Sequence, residues 1–106
     1  TPCEQKHDFI YAEDFAWCIG QLLANSCMAV GEIVNIASGE SISLKSIIEI
    51  CRELIGSSSI VNYGALPYRE NEVMDLKCDV SKLSRVIQHE IKFDINNRLK
   101  EYIQSL

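Results

Sequence analysis

The stretch Ile33-Val34-Asn35-Ile36-Ala37-Ser38-Gly39-Glu40-Ser41-Ile42-Ser43-Leu44 decides the fold class. Ile33 to Ile36 is short, apolar and β-branched, the pattern of a buried strand. Ser38 to Ser41 is turn chemistry. Ser43 suits the start of a helix, because its hydroxyl can accept from an orphan backbone N–H. Leu44, Ile47, Ile48, Cys51, Leu54 and Ile55 then trace a wide apolar stripe. Gly56 follows directly, where a left-handed residue closes a helix. Strand, turn and amphipathic helix in immediate succession predict an α/β chain.

Working outward, Phe9, Ile10 and Tyr11 read as a short strand. Phe15, Cys18, Ile19, Leu22 and Leu23 recur at helical spacing and predict one buried face, with Asn25 and Ser26 as stop signals. Downstream of Gly56, Ile60 to Tyr63 reads as a third strand. Residues 64–78 lack any period and centre on Pro67; irregular segments of that length are often functional. Asp79 is a cap for a helix using Val80, Leu83, Val86 and Ile87. Asp94 caps a last helix with Ile95, Leu99, Tyr102, Ile103 and Leu106 on one face. The order is strand, helix, strand, helix, strand, loop, helix, helix, a small α/β or α+β-like arrangement in a single domain over 1–106.

The 106 residues are 47% hydrophobic and 24% charged, which excludes a disordered chain. No apolar run approaches a membrane span, and the first residues lack the order of a secretory signal. A dinucleotide fold and a substrate fold together do not fit in this length. The formal charge is -5, and the 10 basic residues are scattered. Neither nucleic acid nor an anionic membrane is an expected partner. The five cysteines are odd in number and form no CxxC pair. They are expected to be reduced and metal-free in a cytoplasmic protein, with Cys18 and Cys51 at apolar helical positions as core thiols.

Catalytic signatures are sparse. There is no GxGxxG, no GxxxxGK[ST] and no GxSxG. Asp8, Glu13 and Asp14 cluster near a helix start, where acids complement the dipole. His7 and Asp8 are adjacent in an extended segment and point to opposite sides, which weakens them as an acid–base pair. Arg69 sits in the long loop beside Tyr68, Glu70 and Glu72. Its guanidinium can clamp two phosphate oxygens, or pair with a neighbouring Glu as a plain surface arginine.

Four segments together resemble the extended short-chain dehydrogenases/reductases, a family of NAD(P)-dependent sugar-nucleotide epimerases, dehydratases and reductases. His7-Asp8-Phe9-Ile10-Tyr11-Ala12-Glu13-Asp14 is similar to its RDFIYVDD segment. Residues 31–39 resemble GxxYNIGSG, followed by Ser43-Leu44. Leu66-Pro67-Tyr68-Arg69-Glu70-Asn71-Glu72 is similar to its RxGD or RxGE loop, and Asp79-Val80-Ser81-Lys82-Leu83 to its D-x-S-K-L helix start. The Leu-Pro-Tyr-Arg variant most resembles the branch acting on 4-keto-6-deoxy sugars, such as CDP-abequose or CDP-paratose synthases.

The resemblance implies the C-terminal, substrate-binding portion of a Rossmann-type enzyme, without the dinucleotide-binding domain. It implies a nucleoside-diphosphate sugar as ligand, with Arg69 on the diphosphate, His7 assisting, and Tyr68 and Glu72 shaping the pocket or orienting Arg69. No cofactor is expected on these residues; NAD or NADP belongs to the parent enzyme. The family's Gly-rich loop and Tyr-x-x-x-Lys pair are expected upstream, in an N-terminal Rossmann domain that is the main protein partner. No catalytic residue is expected here, and self-association through surface facing that domain is. A stand-alone, non-catalytic interaction module with the same fold is the alternative. The family pattern is also broken at named places. His7 replaces an Arg, Cys3 and Asn71 stand where Gly is common, Gln88-His89 replaces Gly-Trp, and Ile91 replaces Pro.

Overall fold

Lys6–Asp8 (β1) is the middle of a three-stranded sheet with strand order β2-β1-β3 in the computed structural model, which describes all 106 residues. Ser41–Ser43 (β2) runs antiparallel to it, with His7 opposite Ile42. Asp75–Leu76 (β3) runs parallel on the other side, with His7 opposite Leu76. The helices are α1 (Ala12–Ala24), the single turn α2 (Ser26–Ala29), α3 (Leu44–Ile55), α4 (Ser81–Ile87) and α5 (Ile95–Ser105).

The helix caps follow the sequence. Ser43 accepts the Ser46 N–H through its hydroxyl at 3.1 Å, and Gly56 closes α3 in the left-handed region. Asp94 accepts from the Asn96 and Asn97 N–H groups and fixes the start of α5. Asp79 is displaced from the expected cap position: Val80 precedes α4 without a side-chain cap, and Asp79, two residues before Ser81, accepts the Ser81 N–H at 2.9 Å.

Three strand expectations need correction. Phe9–Tyr11 is not a strand; the ladder lies three residues earlier, and Tyr11 is the extended residue that starts α1. Ile60–Tyr63 carries no ladder bonds, and Ile60 is exposed. Ile33–Ile36 also lacks a partner strand, although its alternation survives. Val34 and Ile36 pack on the core, while Ile33 and Asn35 face solvent. Ladder bonds come from tertiary neighbours, so an apolar β-branched run reads as a strand whether or not a partner lies within the chain.

The core is small. Cys18, Leu83 and Ile87 are fully buried, with Leu22, Val34, Ile36, Val80, Ile91 and Phe93 packed around them. The face expected of α1 divides: Cys18 is buried, whereas Phe15, Ile19 and Leu23 are exposed. Leu54 and Ile55 on α3 and Tyr102 and Leu106 at the end of the chain are likewise exposed. Packing forms two groups: α1, α2 and α4 in one, the sheet with α3 and α5 in the other. The chain measures 51 × 36 × 17 Å, with a radius of gyration of 16.5 Å. An independent globule of this length has about 13 Å.

Three non-glycine residues adopt left-handed backbone: Cys3 (φ 61°), Asn71 (φ 64°) and Gln88 (φ 57°). Each stands at a position where the resembling sequences commonly carry Gly. In these positions an L side chain stands in a region that favours Gly.

Candidate functional site

Asp8 organises the ground on which the site stands. Its Oδ1 accepts the Ser38 N–H at 2.8 Å and the Ser38 hydroxyl at 2.5 Å. Its Oδ2 accepts the Gly39 N–H at 2.9 Å and the Cys78 N–H at 3.3 Å. One carboxylate thus pins the end of β1, the 38–39 loop and the approach to α4. The acid cluster read as helix-dipole chemistry therefore separates. Glu13 and Asp14 do lie in the first turn of α1, Asp14 also pairs with Arg98, and Asp8 belongs to the sheet.

His7, next along β1, is half-buried with its ring edge-on to Phe9 at 6.2 Å between centroids. Arg69 is exposed, in the loop that leads from α3 to β3. The ion pairs of the structure use Arg52, Lys82 and two faces of Arg98; Arg69 is in none of them. Its relation to Glu72 is a backbone turn, with the Glu72 N–H donating to the Arg69 carbonyl at 3.2 Å and Asn71 at φ 64° between them. Tyr68 reaches back to the segment before β1, where its hydroxyl accepts the Glu4 N–H at 3.1 Å. The Lys6 N–H donates to the Met74 carbonyl at 2.8 Å just beyond. The Arg69 loop is thereby tied to the strand that carries His7, through Tyr68 on one side and Met74 on the other.

The long loop is less free than its composition suggests. The Tyr63 hydroxyl makes a short hydrogen bond to Glu49 on α3, and Lys45 lies 5.1 Å over the Tyr63 ring. This bond pushes the Tyr63 phenol up to about 12 and pulls the Glu49 carboxyl down. The sequence marks Tyr63 only as the end of the expected third strand and Glu49 not at all. The available signal was the spacing of Lys45, Glu49 and Arg52 along one side of a helix.

A cleft of about 580 Å³ opens elsewhere, between the β1–β2 side and the segment before α5. Phe9, Ser38, Ile42, Lys92, Phe93 and Ile95 line it, and His7, Tyr68, Arg69 and Glu72 do not. No group of three or more His, Cys, Asp or Glu side chains is placed to hold a metal ion. No helix is long and apolar enough to cross a membrane.

The fold has close counterparts. A Burkholderia cenocepacia J2315 structure assigned to the epimerases superposes with a TM-score of 0.83 at 21% identity, over 97% of this chain and 33% of that one. The UDP-glucuronic acid 4-epimerase of Bacillus cereus, solved with NAD, gives 0.77 at 25% identity, over 98% of this chain and 32% of its own. In sequence, the CDP-abequose synthase of Salmonella muenchen is 36% identical over 86 residues, 81% of this chain. The chain belongs to the extended short-chain dehydrogenases/reductases and corresponds to their C-terminal portion. No family model matches it. It spans 29% of the length of the CDP-abequose synthase.

Proposed function

We propose that these residues form the sugar-nucleotide-binding part of an NAD(P)-dependent nucleoside-diphosphate-sugar epimerase, dehydratase or 4-ketoreductase. The observation that carries the reading is Arg69: an exposed guanidinium without an ion pair, on a loop stitched to the strand bearing His7. Unspent donors in a planar fork suit two phosphate oxygens at once. The likeness to a CDP-abequose synthase supports a nucleoside diphosphate as the ligand. On this reading Arg69 holds the diphosphate, His7 adds a charge-assisted contact when protonated, and Tyr68 and Glu72 shape the pocket.

Hydride transfer would be the work of a nicotinamide. The residues present do not fit that cofactor's phosphates. The α3 N-terminus follows Ile42-Ser43 and is capped by Ser43, and that of α5 is capped by Asp94. Neither is the open, Gly-rich strand-to-helix turn that cradles a pyrophosphate. No catalytic step is assigned to this chain, and alone it is expected to turn over no substrate.

The partner of this part is the cofactor domain of the parent enzyme, in the cytoplasm. Phe15, Ile19 and Leu23 on α1, with Val30 and Ile33 beyond it, are large apolar side chains left facing solvent; Ile33 is 86% exposed. An unpaired β-branched segment beside an apolar helix face suits the edge of a parallel sheet, whose strands are buried on both sides. The flat shape and large radius of gyration support the same partner.

The test is calorimetry of CDP and UDP with the full-length protein carrying these residues. Arg69→Ala is expected to weaken binding by roughly 10- to 150-fold, the size of a charge-assisted hydrogen bond, and Arg69→Lys to recover part of it. Wild-type affinity in Arg69→Ala, with a loss in His7→Ala, would move the diphosphate to His7.

A further inference from the structure

We propose that Tyr63 is a positioning residue for Arg69, holding the stem of the ligand-binding loop against α3 through Glu49. The inference rests on the reading of Arg69 as the diphosphate contact.

The segment between α3 and β3 is fastened at intervals. Arg52 Nη2 donates to the Ser59 carbonyl at 2.9 Å, and Arg52 Nη1 donates to Glu49 Oε2 at 2.9 Å. Tyr63 donates its hydroxyl to the other oxygen of the same carboxylate, Glu49 Oε1. The next residue, Gly64, gives its N–H to the Thr1 carbonyl at 3.0 Å, and Tyr68 meets Glu4 four residues later. Glu49 therefore serves two anchors of the loop, one directly and one through Arg52. Tyr63 is the side-chain anchor nearest to Arg69 on the α3 side.

The chemistry suits a fixed strut. A neutral phenol donating to an ionised carboxylate makes a charge-assisted bond of fixed direction. The Tyr63 ring is half-buried and lies under the Lys45 ammonium, so both ends of the side chain are held. Without the hydroxyl, the stem keeps the Gly64 and Ser59 contacts and the ring's place under Lys45, but loses its hydrogen bond to α3. Arg69 would then sample more orientations, and ordering it on a ligand would consume part of the binding free energy. The bond forms no contact with ligand itself, so its effect on affinity must travel through Arg69.

Four variants of the full-length protein test this: Tyr63→Phe, Glu49→Gln, Arg69→Ala and the double Tyr63→Phe/Arg69→Ala. Each is titrated with CDP and UDP, and amide exchange is followed over residues 64–72. Tyr63→Phe should lower affinity roughly 5- to 10-fold and speed exchange in that segment, with the global melting curve shifted by no more than the loss of one hydrogen bond. Glu49→Gln keeps an acceptor for the hydroxyl and should retain most of the affinity. In the double variant, Tyr63→Phe should add nothing to the loss from Arg69→Ala. Wild-type affinity and wild-type exchange in Tyr63→Phe would overturn the proposal, as would an undiminished Tyr63→Phe effect in the Arg69→Ala background. An Arg69→Ala protein that binds normally would overturn the ligand reading itself, and the positioning role with it.

Discussion

Arg98 grips Asp14 with two guanidinium donors across 84 positions of chain, Nε to Oδ2 at 2.8 Å and Nη2 to Oδ1 at 2.5 Å. The contact joins the two packing groups, α5 to α1. Asp14 is 4% exposed, and Tyr11, the residue before α1, lies under the guanidinium at 5.7 Å. Arg98 Nη1 also reaches Glu101.

Removing Arg98 strands a buried carboxylate. Breaking a fully buried pair costs about 3–5 kcal/mol, and the Arg98 side chain is 32% exposed, so Arg98→Ala should cost about 2–3 kcal/mol. Arg98→Lys should recover less than half, because one ammonium cannot reproduce two parallel bonds. Urea unfolding midpoints measure this at constant slope. A loss under about 0.5 kcal/mol, of the size usual for exposed pairs, would mean that the two elements are held by packing alone.

The Glu49–Tyr63 bond makes a pH signature with two limbs. The folded-state pKa of Glu49 is lowered from 4.5, first by the Tyr63 hydrogen bond. Its contribution is therefore complete above about pH 5 and is lost as pH falls through the lowered value. The Tyr63 pKa is raised from 10.0 to about 12, first by the same bond, so that contribution is complete below pH 10.0 and is lost as pH rises towards 12. Subtracting the stability profile of Tyr63→Phe from that of wild type isolates the bond. The difference should be flat between about pH 5 and 10 and shrink on both sides. A difference independent of pH would show that the hydroxyl bonds something other than a carboxylate.

The exposed apolar face predicts association. Leu23 is 72% and Val30 79% exposed, beside a shallow groove that includes Ile19, Leu22 and Ala29. Patches of this kind promote aggregation or docking. The isolated 106-residue chain should form dimers or larger species in sedimentation runs as its concentration rises. Leu23→Lys with Ile33→Lys should return it to monomer with little change in melting temperature, since neither side chain belongs to the core. Association that persists unchanged in the double variant would place the sticky surface elsewhere.

Legibility in the sequence followed the range of each interaction. The caps at Ser43, Gly56 and Asp94 involve neighbours within four positions, and all three stand where local chemistry put them. The Val80, Leu83, Val86 and Ile87 stripe was legible for the same reason. Strands were harder. Lys6–Asp8 has little β propensity; its place is set by Ser41–Ser43 and Asp75–Leu76, which are distant in sequence. Ile33–Ile36 has the propensity and lacks the neighbour. At the site, Arg69 stood out through its loop. The anchors around it, Glu4 with Tyr68 and Glu49 with Tyr63, join positions 64 and 14 apart and carry no periodic signal. Asp8 reads in the sequence as one acid of a cluster or the neighbour of His7, because Ser38, Gly39 and Cys78, which converge on it, are at least 30 positions away.

Backbone conformation gives the sharpest substitution test. Cys3 and Gln88 hold left-handed angles that cost an L-residue roughly 1–2 kcal/mol, partly offset by the greater chain entropy that Gly loses on folding. Cys3→Gly and Gln88→Gly should each stabilise by about 0.5–1 kcal/mol, and Asn71→Gly by close to nothing, because Asn tolerates this region. The converse experiment uses two glycines with the same angle. Gly39 and Gly64 both have φ +81°, but a Cβ at Gly39 would lie 2.7 Å from Val80 Cγ2, whereas one at Gly64 meets nothing within 4 Å. Gly64→Ala thus reports conformational strain alone, about 1 kcal/mol. Gly39→Ala adds a collision with Val80, the residue just before α4, beside the Gly39 N–H bond to Asp8, and should cost about 1–3 kcal/mol more. In a domain this size each kcal/mol is about 4–8 °C of melting temperature, so the two variants should differ visibly in a single scan. Pairing Gly39→Ala with Val80→Ala should return it to the level of Gly64→Ala, after allowance for the Val80 truncation. Equal melting temperatures for the two alanine variants would mean that Val80 yields freely, and that the Asp8-centred junction is looser than its four hydrogen bonds require.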